Sequence, residues 1–173
     1  MTELPVPVPL VLQPGAGLPV QAGELPVTVK AGPDLTGGLL LVEQEIPPGR
    51  LVPAHRHAAA AQWCCVIAGT LHVMAGGDVH VVESGGYFIR PPGTWHAVWN
   101  PSRTETARQV EGTTPGREML RLFLRMEELK RAGLLTPASL AEAAAPLGTA
   151  YDPAATAEIE KAYGVSAGRG WQG

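Results

Sequence analysis

The stretch GRLVPAHRHAAAAQWCCVIAG, residues 49–69, decides how this chain is read. His55 and His57 stand one residue apart in it. Side chains on a β-strand alternate between faces, so both rings point the same way. A metal ion needs converging ligands, and an H-x-H strand supplies two without special backbone. Two histidines on a strand face are also common polar surface, so the pair alone leaves both readings open. Gly49 and Gly69 bound the stretch where the backbone has to turn sharply.

A second stretch, GGYFIRPPGTWHAVWN at residues 85–100, carries His96. Pro91-Pro92-Gly93 is a tight turn that pins the entry of the strand bearing it. The first stretch reads G-x5-H-x-H-x4-Q-x6-G and the second, from Gly85, reads G-x5-P-x-G-x2-H-x3-N. Residues 70–84 join them, enough for a short hairpin. The two patterns together resemble the two-part signature of the cupin superfamily, over about residues 37–112. The resemblance implies an all-β fold, a double-stranded β-helix or jelly-roll barrel. It also implies one divalent metal ion (zinc, iron, nickel or manganese) held by His55, His57, Gln62 and His96.

Gln62 departs from the family pattern, which has Glu there. Its amide oxygen can bind a metal but brings no charge, so the site stays at about +2 where Glu would give about +1. The more positive site is the stronger Lewis acid and favours an anionic oxygen ligand. A Gln62→Glu change is then expected to raise metal retention and lower activity. The other reading of Gln62 is a lost metal site.

Beyond these motifs, 173 residues suit one domain, and 45% hydrophobic with 17% charged residues excludes global disorder. A net charge of −3 gives no footprint for nucleic acid or an anionic membrane. No run approaches the roughly 18 apolar residues of a membrane helix, and no signal peptide is evident, so a cytoplasmic protein is expected. Cys64 and Cys65 are adjacent and would point to opposite faces, which disfavours a disulfide and suits a reducing compartment.

Residues 1–35 are read as an extended Pro/Gly-rich arm with at most an edge strand, because Pro5, Pro7, Pro9 and Pro14 oppose helix and central strand alike. Residues 36–115 are the barrel, with runs at Leu39–Ile46, Gln62–Ile67, Leu71–Met74, Val79–Val82, Tyr87–Arg90 and His96–Trp99 between turn signals. Residues 116–173 are a C-terminal helical extension. Met119, Leu122, Phe123, Met126 and Leu129 follow helical spacing. Thr136-Pro137 and Asp152-Pro153 open two more helices, and Gly164 ends the last. The extension holds no catalytic cluster and is expected to cover a barrel face or a dimer seam.

Several further side chains bear on the pocket. Cys64 shares the parity of Gln62 and points inward as a small buried group. One of Glu43 and Gln44 faces the interior. Arg90 either meets an anionic ligand or makes a surface salt bridge. Ala58–Ala61 leave small side chains beside the metal. Trp63 and Trp95 pack outside the pocket, Asn100 satisfies a turn, and His72 and His80 face each other on the outer surface of a hairpin.

Fold does not fix function. The family resemblance implies a metal-dependent enzyme on a small carbonyl, enol or aromatic molecule. It is either a dioxygenase-like oxidoreductase or a Lewis-acid cyclase or isomerase akin to cupin polyketide cyclases. A non-catalytic small-molecule-binding or sensing cupin is the alternative, and a storage cupin is a third class. The expected partners are a small molecule and a second copy in a homodimer, with neither nucleic acid nor membrane.

Overall fold

The structure is a computed structural model, and it describes residues 10–168. The N-terminal half runs β1 (Leu18–Ala22), β2 (Leu25–Ala31), a one-turn α1 (Pro33–Thr36), β3 (Leu40–Ile46), β4 (Leu51–His57) and β5 (Ala61–Ala68). Next come β6 (Thr70–Ala75), β7 (Asp78–Glu83), β8 (Tyr87–Arg90), β9 (His96–Trp99) and β10 (Ala107–Thr114). The chain closes with α2 (Arg117–Arg131), α3 (Pro137–Ala144), β11 (Thr149–Tyr151) and α4 (Pro153–Tyr163).

Two antiparallel sheets face each other, one ordered β1-β2-β3-β10-β5-β8 and the other β11-β4-β9-β6-β7. This is the expected all-β jelly roll with a C-terminal helical extension. Alternation writes the strands. In β3, Leu40, Val42 and Ile46 are buried while Glu45 is exposed. Between the sheets, Ile46, Val66, Leu71, Val73, Val98 and Ala107 form a dry core. Farther along the same interior the inward residues turn polar: Gln44, Gln62, Arg90, Gln109, Glu111 and Thr113 are all buried.

The helices close that polar end. Met119, Leu122 and Phe123 of α2 and Leu140 of α3 pack against Val20, Val27, Leu40 and Val42 of the larger sheet. Burying each such side chain stabilises the fold by roughly 1.5–3 kcal/mol. Thr136 caps α3 in a reciprocal capping box with Ser139, and Asp152 caps α4 by accepting from the Ala155 N–H. α4 covers the outer face of the smaller sheet, where Leu51, Ala54 and Trp99 meet Ile159.

Residues 18–31 differ from the expected arm. They form a hairpin that extends the larger sheet, and β2 is an internal strand. Alternating Val20 and Ala22, then Leu25, Val27 and Val29, supply a buried face. Pro19 lies on the sheet edge and Pro26 precedes the first pairing with β3, so neither breaks a central ladder. Pro14 sits in a turn, while Pro5, Pro7 and Pro9 fall outside the described residues.

Candidate metal centre

His55 and His57 come from β4, yet plain alternation does not place them. The ladder pairs Leu51 with Trp99 and Val52 with Val98, then skips to His55 with His96. The irregularity spans Pro53 and Ala54. Proline has no N–H for a ladder and belongs at such a bulge. The extra residue resets the parity, so Ala54 packs outward under α4 while Val52, His55 and His57 face inward. The turn before β9 ties the two motifs together. Gly93, at φ +79°, donates its N–H to His57 O at 2.7 Å.

The candidate ligand atoms of His55, His57 and His96 lie within 4.8 Å of one another. Each ring has its Nδ1 held. His55 Nδ1 is 2.7 Å from Pro53 O, His96 Nδ1 is 2.9 Å from Thr94 O, and His57 Nδ1 is 2.9 Å from Thr149 Oγ1. A carbonyl only accepts, so Nδ1 of His55 and His96 carries the hydrogen and Nε2 keeps its lone pair. Nε2 of His57 and of His96 is buried without a hydrogen-bond partner, and so is Oε1 of Gln62. Orphaned buried acceptors are costly. Three imidazoles and an amide oxygen with free lone pairs are a donor set that fits a divalent transition metal.

Electrostatics agrees with that chemistry. Loss of hydration lowers His55 to about 4 and His57 to about 2, and pushes His96 lower still. The Arg90 charge adds to the depression in each case. The rings are therefore neutral at pH 7, the form that ligates metal.

Gln62 is held from behind. Its Nε2 donates to Glu111 Oε1 at 3.1 Å and to Thr113 Oγ1 at 3.2 Å. Glu111 Oε2 is bound by Arg90 Nη2 at 2.7 Å, in an ion pair with almost no solvent exposure. Cys64 lies inward as expected and donates to Glu111 Oε2, and burial holds its thiol protonated.

A cavity of about 60 Å³ adjoins the site. His55, His57, Gln62, Gln44 and Gln109 line one side, and Met119, Phe123 and Met126 of α2 line the other. Tyr151 closes it beside His55, with ring centres 5.6 Å apart, and burial raises its phenol well above the usual range.

The other sequence expectations divide. Gln44 faces in, while Glu43 faces out to Lys30 and Arg108. Asn100 is structural: Nδ2 donates to Ile46 O and Glu105 O, and Oδ1 accepts from Ser102 N–H. Trp63 packs outside the interior, so tightly over Gly112 that an added Cβ there would lie 2.3 Å from the indole. Trp95 stacks outside on the Arg56 guanidinium at 5.0 Å. Arg90 is inward but bound to Glu111, not free on the surface. His72 and His80 do not face each other. The register pairs His72 with Val81 and Val73 with His80, a one-residue offset that sends the two rings to opposite faces. His72 instead meets Trp99 and Tyr163.

Glu111, Thr113 and Gln109 carry no sequence signal, because β10 has polar residues on its inward face, inverting the usual pattern. Thr149 and Tyr151 carry none either, because β11 is three residues long and lies between helices. It pairs with β4, matching Thr149 to His57 and Tyr151 to His55. The extension thus reaches the site itself as well as covering it.

Residues 42–110 match the cupin domain family. That stretch is a cupin domain. The match stops one residue short of Glu111, so the carboxylate behind Gln62, Thr113 and Thr149 all lie beyond it. Solved structures share the fold. A protein from Thermotoga maritima described as a predicted oxalate decarboxylase aligns at TM-score 0.55 and 15% identity, over 61% of this chain and 98% of its own. KdgF from Halomonas sp. aligns at 0.50 and 20%, over 56% and 83%. An RmlC-like cupin from Shewanella frigidimarina aligns at 0.50 and 23%, over 57% and 82%. At these identities the likeness concerns the fold alone. No curated protein matches the chain in sequence.

Proposed function

We propose that this cupin is a metal-dependent enzyme acting on a small, largely apolar molecule with a carbonyl, enol or phenol oxygen, by Lewis-acid rather than redox chemistry. The carrying observation is the set of buried acceptors without partners, His57 Nε2, His96 Nε2 and Gln62 Oε1. His55, His57, Gln62 and His96 would hold one divalent ion. Bound by four neutral donors, it would supply polarisation of a substrate oxygen and stabilise developing negative charge there.

The chain's own groups support the non-redox branch of that chemistry. The nearby carboxylate, Glu111, is committed to Arg90 at 2.7 Å and does not reduce the charge at the ligands. The apolar wall of Met119, Phe123 and Met126 excludes water and suits an aromatic or aliphatic body. Gln109 donates to Gln44 at 2.7 Å, and its own Oε1 has no protein partner, so it is placed to accept from a substrate hydroxyl. A cavity of about 60 Å³ is small for such a molecule, and the unbranched Met119 and Met126 are the side chains suited to shift on binding.

The test loads metal-free protein with Zn(II), Mn(II), Ni(II) or Fe(II) and offers polyketide intermediates, diols and flavonols, with oxygen uptake recorded. Turnover without oxygen consumption is expected. Turnover only with Fe(II) and with oxygen uptake would replace this reading with a dioxygenase-like one. Thermal stabilisation by a candidate ligand without turnover on any metal would replace it with a binding module. The homodimer expected from sequence is kept as part of the proposal, and a light-scattering mass of one chain would remove it.

A further inference from the structure

Gln62 and Glu111 carry one more reading, which rests on the metal site proposed above. We propose that Glu111 is a positioning residue: it fixes which atom of Gln62 faces the metal site, and it is why an amide rather than a carboxylate stands at position 62.

Strand register builds the arrangement. Gln62 on β5 lies opposite Arg90 on β8 and opposite Thr113 on β10, so the three form one inward row. Glu111 is the next inward position on β10, opposite Cys64. One Glu111 oxygen is taken by Arg90 at 2.7 Å and the other by Gln62 Nε2 at 3.1 Å. Thr113 Oγ1 accepts from the same Nε2 at 3.2 Å and donates to Glu111 Oε1 at 3.4 Å. An ionised carboxylate only accepts. The amide is therefore locked with nitrogen toward Glu111 and oxygen away from it, and that oxygen has no protein partner. Turned round, Oε1 would face a carboxylate oxygen, and the NH2 would face the site that the imidazole lone pairs also face. The first contact is repulsive, and the second would aim N–H hydrogens at a bound cation.

The same geometry argues against Glu at position 62. Two carboxylate oxygens would meet across the 3.1 Å now spanned by a hydrogen bond, with one guanidinium to offset both charges. The negative charge sits behind the ligand instead of on it. This reverses the expectation drawn from residue 62 alone, that Gln62→Glu raises metal retention.

Exchanging the two groups tests the idea. In Glu111→Gln, Arg90 still claims an oxygen, so the new amide turns its NH2 toward position 62. Gln62 must then offer its own oxygen to that NH2 and turn its nitrogen toward the metal. In the double variant Gln62→Glu/Glu111→Gln, the new NH2 donates to one carboxylate oxygen and leaves the other for the metal.

Co(II) is titrated into the metal-free full-length chain, followed by calorimetry and by visible absorption. Thermal melts check that each variant folds. We expect one Co(II) per wild-type chain and none in His96→Ala. Glu111→Gln weakens binding about tenfold and shifts the absorption bands. Gln62→Glu also weakens binding, and the double variant recovers wild-type affinity or better. Wild-type affinity and spectrum in Glu111→Gln would overturn the proposal, as would a double variant no better than the weaker single one. Should Glu111→Gln not fold, Gln62→Glu carries the test: Co(II) binding weaker than wild type supports the proposal, and equal or tighter binding overturns it. A wild-type chain that takes up no Co(II) takes down the metal reading and this one with it, whereas metal uptake indifferent to position 111 sinks this one alone.

Discussion

The smaller sheet supplies all three imidazoles, from β4 and β9, while the larger sheet supplies the amide and everything that orients it, from β5, β8 and β10. The two sets are supported differently. Two imidazoles rest on backbone carbonyls two residues earlier, at Pro53 and Thr94, so their tautomers are set locally. The amide rests on a charged side-chain network that joins three strands. Local backbone support survives single substitutions nearby. A buried ion pair does not, because losing one partner strands the other charge. Metal binding should thus be separable from folding on the smaller sheet and inseparable from it on the larger one.

The sharpest way to break this contrast is Arg90→Met. It leaves Glu111 buried without its cation and should cost about 3–5 kcal/mol in a denaturant melt of metal-free protein. His96→Ala is the counterpart. It should abolish metal uptake, read by elemental analysis, yet cost the metal-free fold only about 1–2 kcal/mol. Equal losses of stability in the two variants would erase the distinction.

A smaller effect concerns pH. His55 and His57 are held neutral, at about 4 and about 2, against about 6.5 in an unfolded chain. Between those values the unfolded chain binds more protons than the folded one, so stability falls as pH falls. The contribution is fully present above about 6.5 and is lost progressively down to about 4 for His55 and about 2 for His57. Melts of metal-free protein should show this slope, and His55→Asn should flatten its upper part. An unchanged slope in that variant would place the acid sensitivity elsewhere.

The smallest effect tests the one imidazole whose partner is remote. Thr149→Val removes the hydroxyl at His57 Nδ1 and should weaken metal binding about tenfold by calorimetry, with little change in melting. No loss of affinity would show that His57 needs no orienting partner.

Much of this was legible in residues 49–100 and in the helix starts at Thr136 and Asp152. The strand limits around His96, the two proline-capped helices and the inward path of Cys64 follow from alternation, capping and turn chemistry. Legibility failed where a local rule was overridden. Pro53 sits inside β4 because a bulge receives it, and without that bulge the parity of His55 cannot be carried over from Val52. β10 hides its role because Gln109, Glu111 and Thr113 occupy positions where alternation anticipates apolar residues. The offset of His72 from His80 depends on register across a Gly76-Gly77 turn, which composition does not specify. The groups that aim His57 and Gln62 were the hardest to read, since they lie distant along the chain.

The pairing of Thr149 with His57 has a consequence in time. The two are 92 residues apart, so at ordinary synthesis rates the histidine leaves the ribosome roughly 5–18 s before the hydroxyl that orients it. During that interval the imidazole is without the partner that holds Nδ1. On the proposed metal reading, an ion acquired early would meet this ring in its final setting only once β11 docks.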